Sequence, residues 1–105
     1  MAGTSYTNPT FDLNSIKREL DNIDKLHATG AARRGFVELG FSEQDVVDAI
    51  SKIKSGDFHK TMPSDKMPEY YFDVYKTKYK SKKIYVKFQR IKDFTVVSFK
   101  EDTSL

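Results

Sequence analysis

The chain has 105 residues, of which 38% are apolar and none is cysteine, and its formal net charge at pH 7 is +3. This length allows one small domain with one modest core, and the lack of cysteine excludes disulfides, thiol nucleophiles and cysteine-based metal sites. With His27 and His59 as the two imidazoles, no apolar run of membrane-spanning length and no signal-peptide pattern at the start, we expect a cytoplasmic protein with no metal, other cofactor or membrane partner.

The first half of the chain predicts three helices behind an N-terminal arm. Residues 1–11 are mostly small and polar and predict a flexible arm, followed by a single domain over residues 12–105. Apolar residues at helical spacing predict helices over residues 13–28 and 31–39. Ser42, followed three positions later by Asp45, predicts a capping box at the start of a third helix, which we expect to end at Gly56.

The second half predicts strands. Two prolines and a Ser–Asp pair mark a loop in the segment DFHKTMPSDKMPEY, which contains His59 and Lys60. Three strands are predicted after it, at about residues 69–76, 83–91 and 94–101. Helices followed by a run of strands predict an α+β fold, with the N-terminal helices packed on one face of a small twisted antiparallel β-sheet.

Alternation along the last two strands predicts their register. A two-residue turn at residues 92–93 would join them, and a slip by one position would put core residues in solvent. This register pairs Ile91 with Phe94, Phe88 with Val97, and Val86 with Phe99. We therefore expect the last two of these apolar pairs to lie in the core.

The same register predicts a polar cluster on the side of the hairpin away from the core. Tyr85 would lie opposite Lys100, and Lys87 opposite Ser98, with Cβ atoms about 5 Å apart in each pair. The cluster would hold a phenol, two ammonium groups and a hydroxyl. It is consistent with a functional site, and also with a solvated face of amphipathic tyrosine and lysine side chains.

Basic residues are concentrated in the C-terminal half. Residues 1–56 contain seven Lys/Arg and eight Asp/Glu, whereas residues 57–105 contain eleven and seven, and eight basic residues but no acidic one occur between Val74 and Lys92. This distribution favours a surface that faces a polyanion such as nucleic acid. The alternative is that lysines on edge strands prevent association between sheets.

Such a cluster has the groups that RNA cleavage needs. RNA supplies its own nucleophile, the 2′-hydroxyl, so a protein has to remove that proton, stabilise the phosphorane and protonate the leaving 5′-oxygen. Lysines around a phosphate stabilise its developing charge without a metal ion, and a nearby tyrosine or histidine can transfer protons. A Tyr beside Lys could have its pKa lowered by the positive charge.

Four short motifs occur in one order along the chain: SGDFHKTM, DVY at residues 73–75, IYVKF, and VVSFKE at residues 96–101. Together they resemble the MqsR (motility quorum-sensing regulator) toxins. The likeness covers residues 13–101 and is greatest from Asp57 onward. It implies a RelE-like fold, metal-independent and sequence-specific cleavage of single-stranded mRNA that arrests growth, and an MqsA-type antitoxin as the protein partner of a type II toxin–antitoxin system.

The resemblance also implies roles for individual residues. Lys60 and Lys100 fall on the family's catalytic lysines and would bind the scissile phosphate, while Tyr85 falls on its strand tyrosine and would position or deprotonate the 2′-hydroxyl. His59 replaces a family tyrosine and would assist proton transfer. The products would carry 2′,3′-cyclic phosphate and 5′-hydroxyl ends. Further RNA contacts are expected from Lys87, Arg90, Gln89 and Tyr75.

One departure from the family leaves other functions open. The family's active-site glutamine is replaced by Phe72, which alternates with Val74 and could join the core, and Gln89 could substitute for the missing amide. The loss of that amide favours a non-catalytic RNA-binding domain as an alternative. A third possibility is a regulatory module whose lysines bind an acidic protein.

Overall fold

A computed structural model describes residues 8–103. Three helices, α1 (Leu13–Glu19), α2 (Gly30–Glu38) and α3 (Glu43–Ser51), precede four strands, β1 (Phe58–Pro63), β2 (Tyr71–Tyr79), β3 (Lys82–Arg90) and β4 (Phe94–Glu101). The strands form one antiparallel sheet in the order β1-β2-β3-β4. The helices lie N-terminal to the sheet and pack on one of its faces, so the predicted α+β fold is confirmed. Within residues 8–103 no helix is long and apolar enough to cross a membrane.

The first helix is shorter than its apolar pattern predicted. It ends at Glu19, and a 3-10 turn over Ile23–Lys25 follows. The prediction of a helix to residue 28 was wrong because the segment after the turn pairs with the sheet instead: Val96 N–H donates to the His27 carbonyl, and Thr29 N–H donates to the Val96 carbonyl.

The second and third helices begin where their capping residues predict. Thr29 accepts a hydrogen bond from Ala32 N–H at the start of α2. Ser42 and Asp45 form the predicted capping box at the start of α3. However, α3 ends at Ser51, because Gly56 belongs to a separate 3-10 turn, Ser55–Asp57, that leads into β1.

Strand β1 occupies part of the segment that was predicted as a loop. It pairs with β2 through residues 58–63, and the Thr61 hydroxyl donates to the Phe72 carbonyl. Proline is tolerated at the end of an edge strand, where no ladder hydrogen bond is lost; Pro63 is the last residue of β1. The correction matters because His59 and Lys60 lie on this strand and not in a loop.

The β3–β4 hairpin has the predicted pairs at its open end and different pairs near its turn. Tyr85 lies opposite Lys100, and Val86 lies opposite Phe99, as predicted. Near the turn, however, Phe88 pairs with Val96 and not with Val97, because Val97 is a β-bulge residue. The turn is accordingly one residue longer than predicted, and Arg90, not Ile91, pairs with Phe94.

The core lies between the helices and one face of the sheet. It contains Ile16 of α1 and Leu20 directly after it, Phe36 of α2, and apolar residues of β2, β3 and β4. The bulge turns Phe94 and Val96 into this core, on the opposite side from the one expected.

A glycine, Gly35, allows α2 to approach β4 closely, because a Cβ atom there would overlap the Phe99 carbonyl oxygen.

The N-terminal segment is attached to the sheet before α1 begins. Residues 1–7 of the predicted arm lie outside the described residues, but Thr10 and Phe11 both donate backbone hydrogen bonds to the Asp73 carboxylate, at 3.0 and 2.8 Å. Asp73 is completely buried. The chain next to α1 is therefore held by a charged acceptor in β2.

Candidate active site on the open face of the sheet

The face of the sheet that the helices leave uncovered, here called the open face, carries side chains in three rows across the strands. Each row is defined by residues that pair directly between neighbouring strands. Row 1 contains Lys76, Tyr85 and Lys100; row 2 contains Lys60, Val74, Lys87 and Ser98; row 3 contains Met62, Phe72, Gln89 and Thr95. Neighbouring strands lie about 4.8 Å apart, and successive rows about 7 Å apart.

Tyr85 and Lys100 are in contact in row 1. The Lys100 Nζ lies 5.1 Å from the centre of the Tyr85 ring, a distance at which the cation is attracted by the ring. Partial burial raises the pKa of Tyr85, and the negative charge of Asp102 raises it further. The phenol is therefore protonated at neutral pH and can donate a hydrogen bond. Of the two roles expected for Tyr85, the raised pKa favours positioning the 2′-hydroxyl over deprotonating it.

Lys87 lies at the centre of the basic cluster. Burial lowers its pKa, the positive charges of Lys100 and Lys60 lower it further, and Asp65 opposes them. Because both lysines act on this one ammonium group, Lys87 links Lys60 and Lys100, which the sequence places on separate segments. The Lys87 Nζ also lies 4.8 Å from the centre of the Phe72 ring.

His59 lies beside this cluster, at an irregularity in β1. The register of β1 shifts between Phe58 and Lys60, so His59 is outside the regular pairing and is exposed. Partial loss of hydration lowers its pKa below the usual 6.5, as do the charges of Lys76 and Lys60, whereas Asp102 raises it. The imidazole is therefore mainly neutral at pH 7, which suits a base better than an acid.

Lys76 is a site residue that the sequence analysis missed. It is the direct partner of Tyr85 on β2, and its Nζ lies 3.7 Å from the Asp102 carboxylate. A small cavity of about 290 Å³ is lined by these three residues together with Lys100. The pairing of Lys76 with Tyr85 could have been predicted from the sequence, because a two-residue turn at Lys80–Ser81 sets which residues of β2 and β3 lie opposite each other.

Two of the expected RNA contacts are on the other side of the sheet. Tyr75 is 1% exposed and packs against Phe58 and Phe88, and its burial raises its pKa to about 12. Arg90 is exposed, but its guanidinium lies 5.1 Å from the centre of the Phe94 ring on the helix-covered side. Neither residue is therefore a candidate for binding RNA on the open face.

Phe72 and Gln89 are neighbours in row 3. Phe72 does not join the helix-covered core; it alternates with buried Asp73 and is partly exposed on the open face. Gln89 does lie on the same face as Tyr85, but its side chain is buried. Among the described residues, no cluster of three or more His, Asp or Glu side chains is arranged to hold a metal ion.

Comparison with known proteins finds similarity along most of the chain. A family model described as "Motility quorum-sensing regulator, toxin of MqsA" matches residues 8–101. A relative from Escherichia coli (strain K12), named "mRNA interferase toxin MqsR", is 29% identical over 93 residues, which cover 89% of this chain and 94% of that protein. The residues that the family model matches include all three rows of the open face.

Proposed function

The chain belongs to the MqsR toxin family, and we propose from this that it is a toxin endoribonuclease that cleaves mRNA and is neutralised by an MqsA-type antitoxin. The observation that carries the proposal is the cluster of Lys60, Lys87 and Lys100 around one point of the open face, with Tyr85 beside it. Such a cluster provides what a phosphoryl-transfer transition state needs, namely fixed positive charge and a hydrogen-bond donor.

The lysines bind and stabilise the reacting phosphate. Lys60 and Lys100 approach it from opposite edges of the sheet, and Lys87 lies between them. Negative charge grows on the non-bridging oxygens as the phosphorane forms, so three ammonium groups at this point bind the transition state more strongly than the substrate. Mutual repulsion among the free ammonium groups is relieved when an anion binds.

Two residues transfer the protons. His59, whose pKa is lowered, accepts the proton of the 2′-hydroxyl as its oxygen attacks phosphorus. The bond from phosphorus to the 5′-oxygen then breaks, and Tyr85, whose phenol is protonated, donates a proton to that oxygen. The products are a 2′,3′-cyclic phosphate and a 5′-hydroxyl, and solvent returns both residues to their starting states.

Single-stranded RNA suits this open face better than a duplex. Phe72 presents a partly exposed ring in row 3, and an unpaired base can stack on an aromatic side chain. This contact also gives Phe72 a function at the family's glutamine position. The same basic surface would attract an acidic antitoxin, which would then compete with RNA.

End-mapping of cleaved RNA tests the proposal. Purified protein is incubated with unstructured RNA in EDTA, and fragment ends are sequenced and tested for cyclic phosphate. We expect 5′-hydroxyl ends with the wild type, none with Lys100→Ala, and wild-type cutting with Lys82→Ala, whose side chain lies at the exposed end of β3. Salt-sensitive binding without new ends would instead support the non-catalytic RNA-binding domain.

A further inference from the structure

The amide of Gln89 is buried without the hydrogen bonds that burial normally requires. The residue is 8% exposed, and within residues 8–103 its Nε2 has no hydrogen-bond partner. An unpaired buried donor costs about 1–3 kcal/mol, so most buried side-chain donors in folded proteins are paired. The exception leaves one hydrogen-bonding position that a bound ligand can fill.

A cavity of about 370 Å³ lies next to this amide, where β3 turns into β4. Its walls include Val97, the β-bulge residue, and Ile91, which is 55% exposed. Thr29 and Thr95 also line it. His27, Lys92 and Asp93 complete its lining, and a cleft of this size with apolar walls and several polar groups is typical of a small-molecule or nucleotide site.

The cavity is next to the catalytic rows. Gln89 follows Lys87 by two positions on β3 and faces the same side of the sheet, so it is roughly 7 Å from row 2 and roughly 13 Å from row 1. An extended RNA strand that places its phosphate among the lysines therefore brings an adjacent nucleotide to the cavity.

Lys92 and His27 in the lining could contact a phosphate, whereas the Gln89 amide is the group in this cavity that suits a base. A neutral amide offers one donor and one acceptor side by side, which matches a base edge that carries an exocyclic amine next to a ring nitrogen. Adenine and cytosine have such an edge, and guanine and uracil also present a donor next to an acceptor, so the amide can read a base edge without fixing which base it is. The Ile91 and Val97 side chains supply apolar contacts for the ring faces.

We propose that this cavity is a base-recognition subsite in which Gln89 reads one nucleobase beside the scissile phosphate and thereby sets the cleavage-site preference. The inference rests on the proposed nuclease function and adds a specificity-determining residue to it. Gln89 therefore does not replace the missing glutamine at position 72; it acts at a separate point on the strand.

Cleavage of a random-sequence RNA library tests the subsite. The wild type, Gln89→Leu and Gln89→Glu are compared by sequencing all new 5′-hydroxyl ends, with Gln44→Leu as a matched control on exposed α3. We expect the wild type and the control to share a preference for one base at one position next to the cut. In Gln89→Leu that preference falls by about tenfold or more, while cutting continues.

The outcomes separate the two proposals. A wild type that cuts no RNA overturns the nuclease function and the subsite with it. A wild type that cuts, together with folded Gln89 variants whose preference is unchanged at every position, overturns the subsite alone. If Gln89→Leu does not fold, Gln89→Glu keeps the size and polarity of the side chain, removes the donor and must still change the preference.

Discussion

Lys100 and Tyr85 face each other across β3 and β4, with the lysine Nζ 5.1 Å from the centre of the tyrosine ring. The contact leaves the phenol hydroxyl available, because a cation over the ring face does not occupy the oxygen. The ring therefore has two separable functions, one as a surface that holds Lys100 and one as a carrier of the hydroxyl group.

Substitution of Tyr85 separates these two functions. We expect Tyr85→Phe to lower kcat by about 100-fold with little change in KM, because it removes the proton donor and keeps the ring under Lys100. Tyr85→Ala should also raise KM, because Lys100 loses its support. Single-turnover cleavage at several RNA concentrations measures both effects, and equal kinetics for Phe and the wild type would exclude the phenol as the acid.

Lys87→Met tests the central ammonium group. Methionine keeps an apolar stem next to buried Val74 but carries no charge, so we expect kcat/KM to fall by about 100-fold. RNA binding should also depend less on salt, with the slope of log K against log salt reduced by about 0.7. Lys82→Met, on the same strand with its side chain on the other side, is the control and should behave as the wild type in both measurements.

The pH dependence of cleavage tests His59 as the base. Because its pKa lies below 6.5, the rate should rise with pH to a midpoint below 6.5 and then stay constant through neutrality. Lys76→Gln removes a positive charge that lowers this pKa, so the midpoint should move to higher pH; Asp102→Asn should move it to lower pH. A rate that instead falls as pH rises through this range would assign His59 the acid role.

Phe72→Ala tests base stacking on the open face. Loss of one base–aromatic stack costs about 1–3 kcal/mol, so KM should rise by about tenfold while kcat changes little. Phe72→Tyr keeps the ring and should retain the wild-type KM. If both variants bind short RNA as the wild type does, the ring serves only as a support for Lys87, 4.8 Å away.

Gly35→Ala tests the close approach of α2 to β4. The added methyl group would overlap the backbone of Phe99, and backbone cannot move as a flexible side chain does, so we expect the free energy of unfolding to fall by about 3 kcal/mol. Gly56→Ala has open space around the new Cβ atom and should change little. Denaturant unfolding of both variants makes the comparison, and equal stabilities would show that α2 moves away at little cost.

The sequence predicted the central pair of the site even though part of its reasoning about the hairpin was wrong. The turn is one residue longer than expected, and the bulge at Val97 adds one residue to β4. These two differences cancel beyond the bulge, so Tyr85 and Lys100 are opposite each other as predicted. Alternation alone cannot reveal a bulge, because both strand faces near the turn contain apolar residues.

Other parts of the site depended on pairings that local patterns do not encode. Strand β1 was missed because Pro63 at its end and Pro68 soon after it suggest a loop. Lys76 was missed because the β2–β3 turn uses Lys80 and Ser81 at positive φ in place of the usual glycine or asparagine. Tyr75 was misassigned because a tyrosine in a basic strand suggests an exposed ring. Its burial follows from packing against the Phe58 and Phe88 rings, which only the tertiary structure gives.

The bulge at Val97 divides β4 into one segment that packs in the core and one that carries Lys100. Before it, Phe94 and Val96 point inward and hold the sheet to the helices; after it, Lys100 points outward. If β4 paired without a bulge and kept Val97, it would have to choose between a hydrophobic interior and an outward-facing ammonium group. Deleting Val97 removes that conflict, since Phe94, Val96 and Phe99 then alternate regularly with Thr95, Ser98 and Lys100, and the shortened protein should fold with Lys100 still opposite Tyr85.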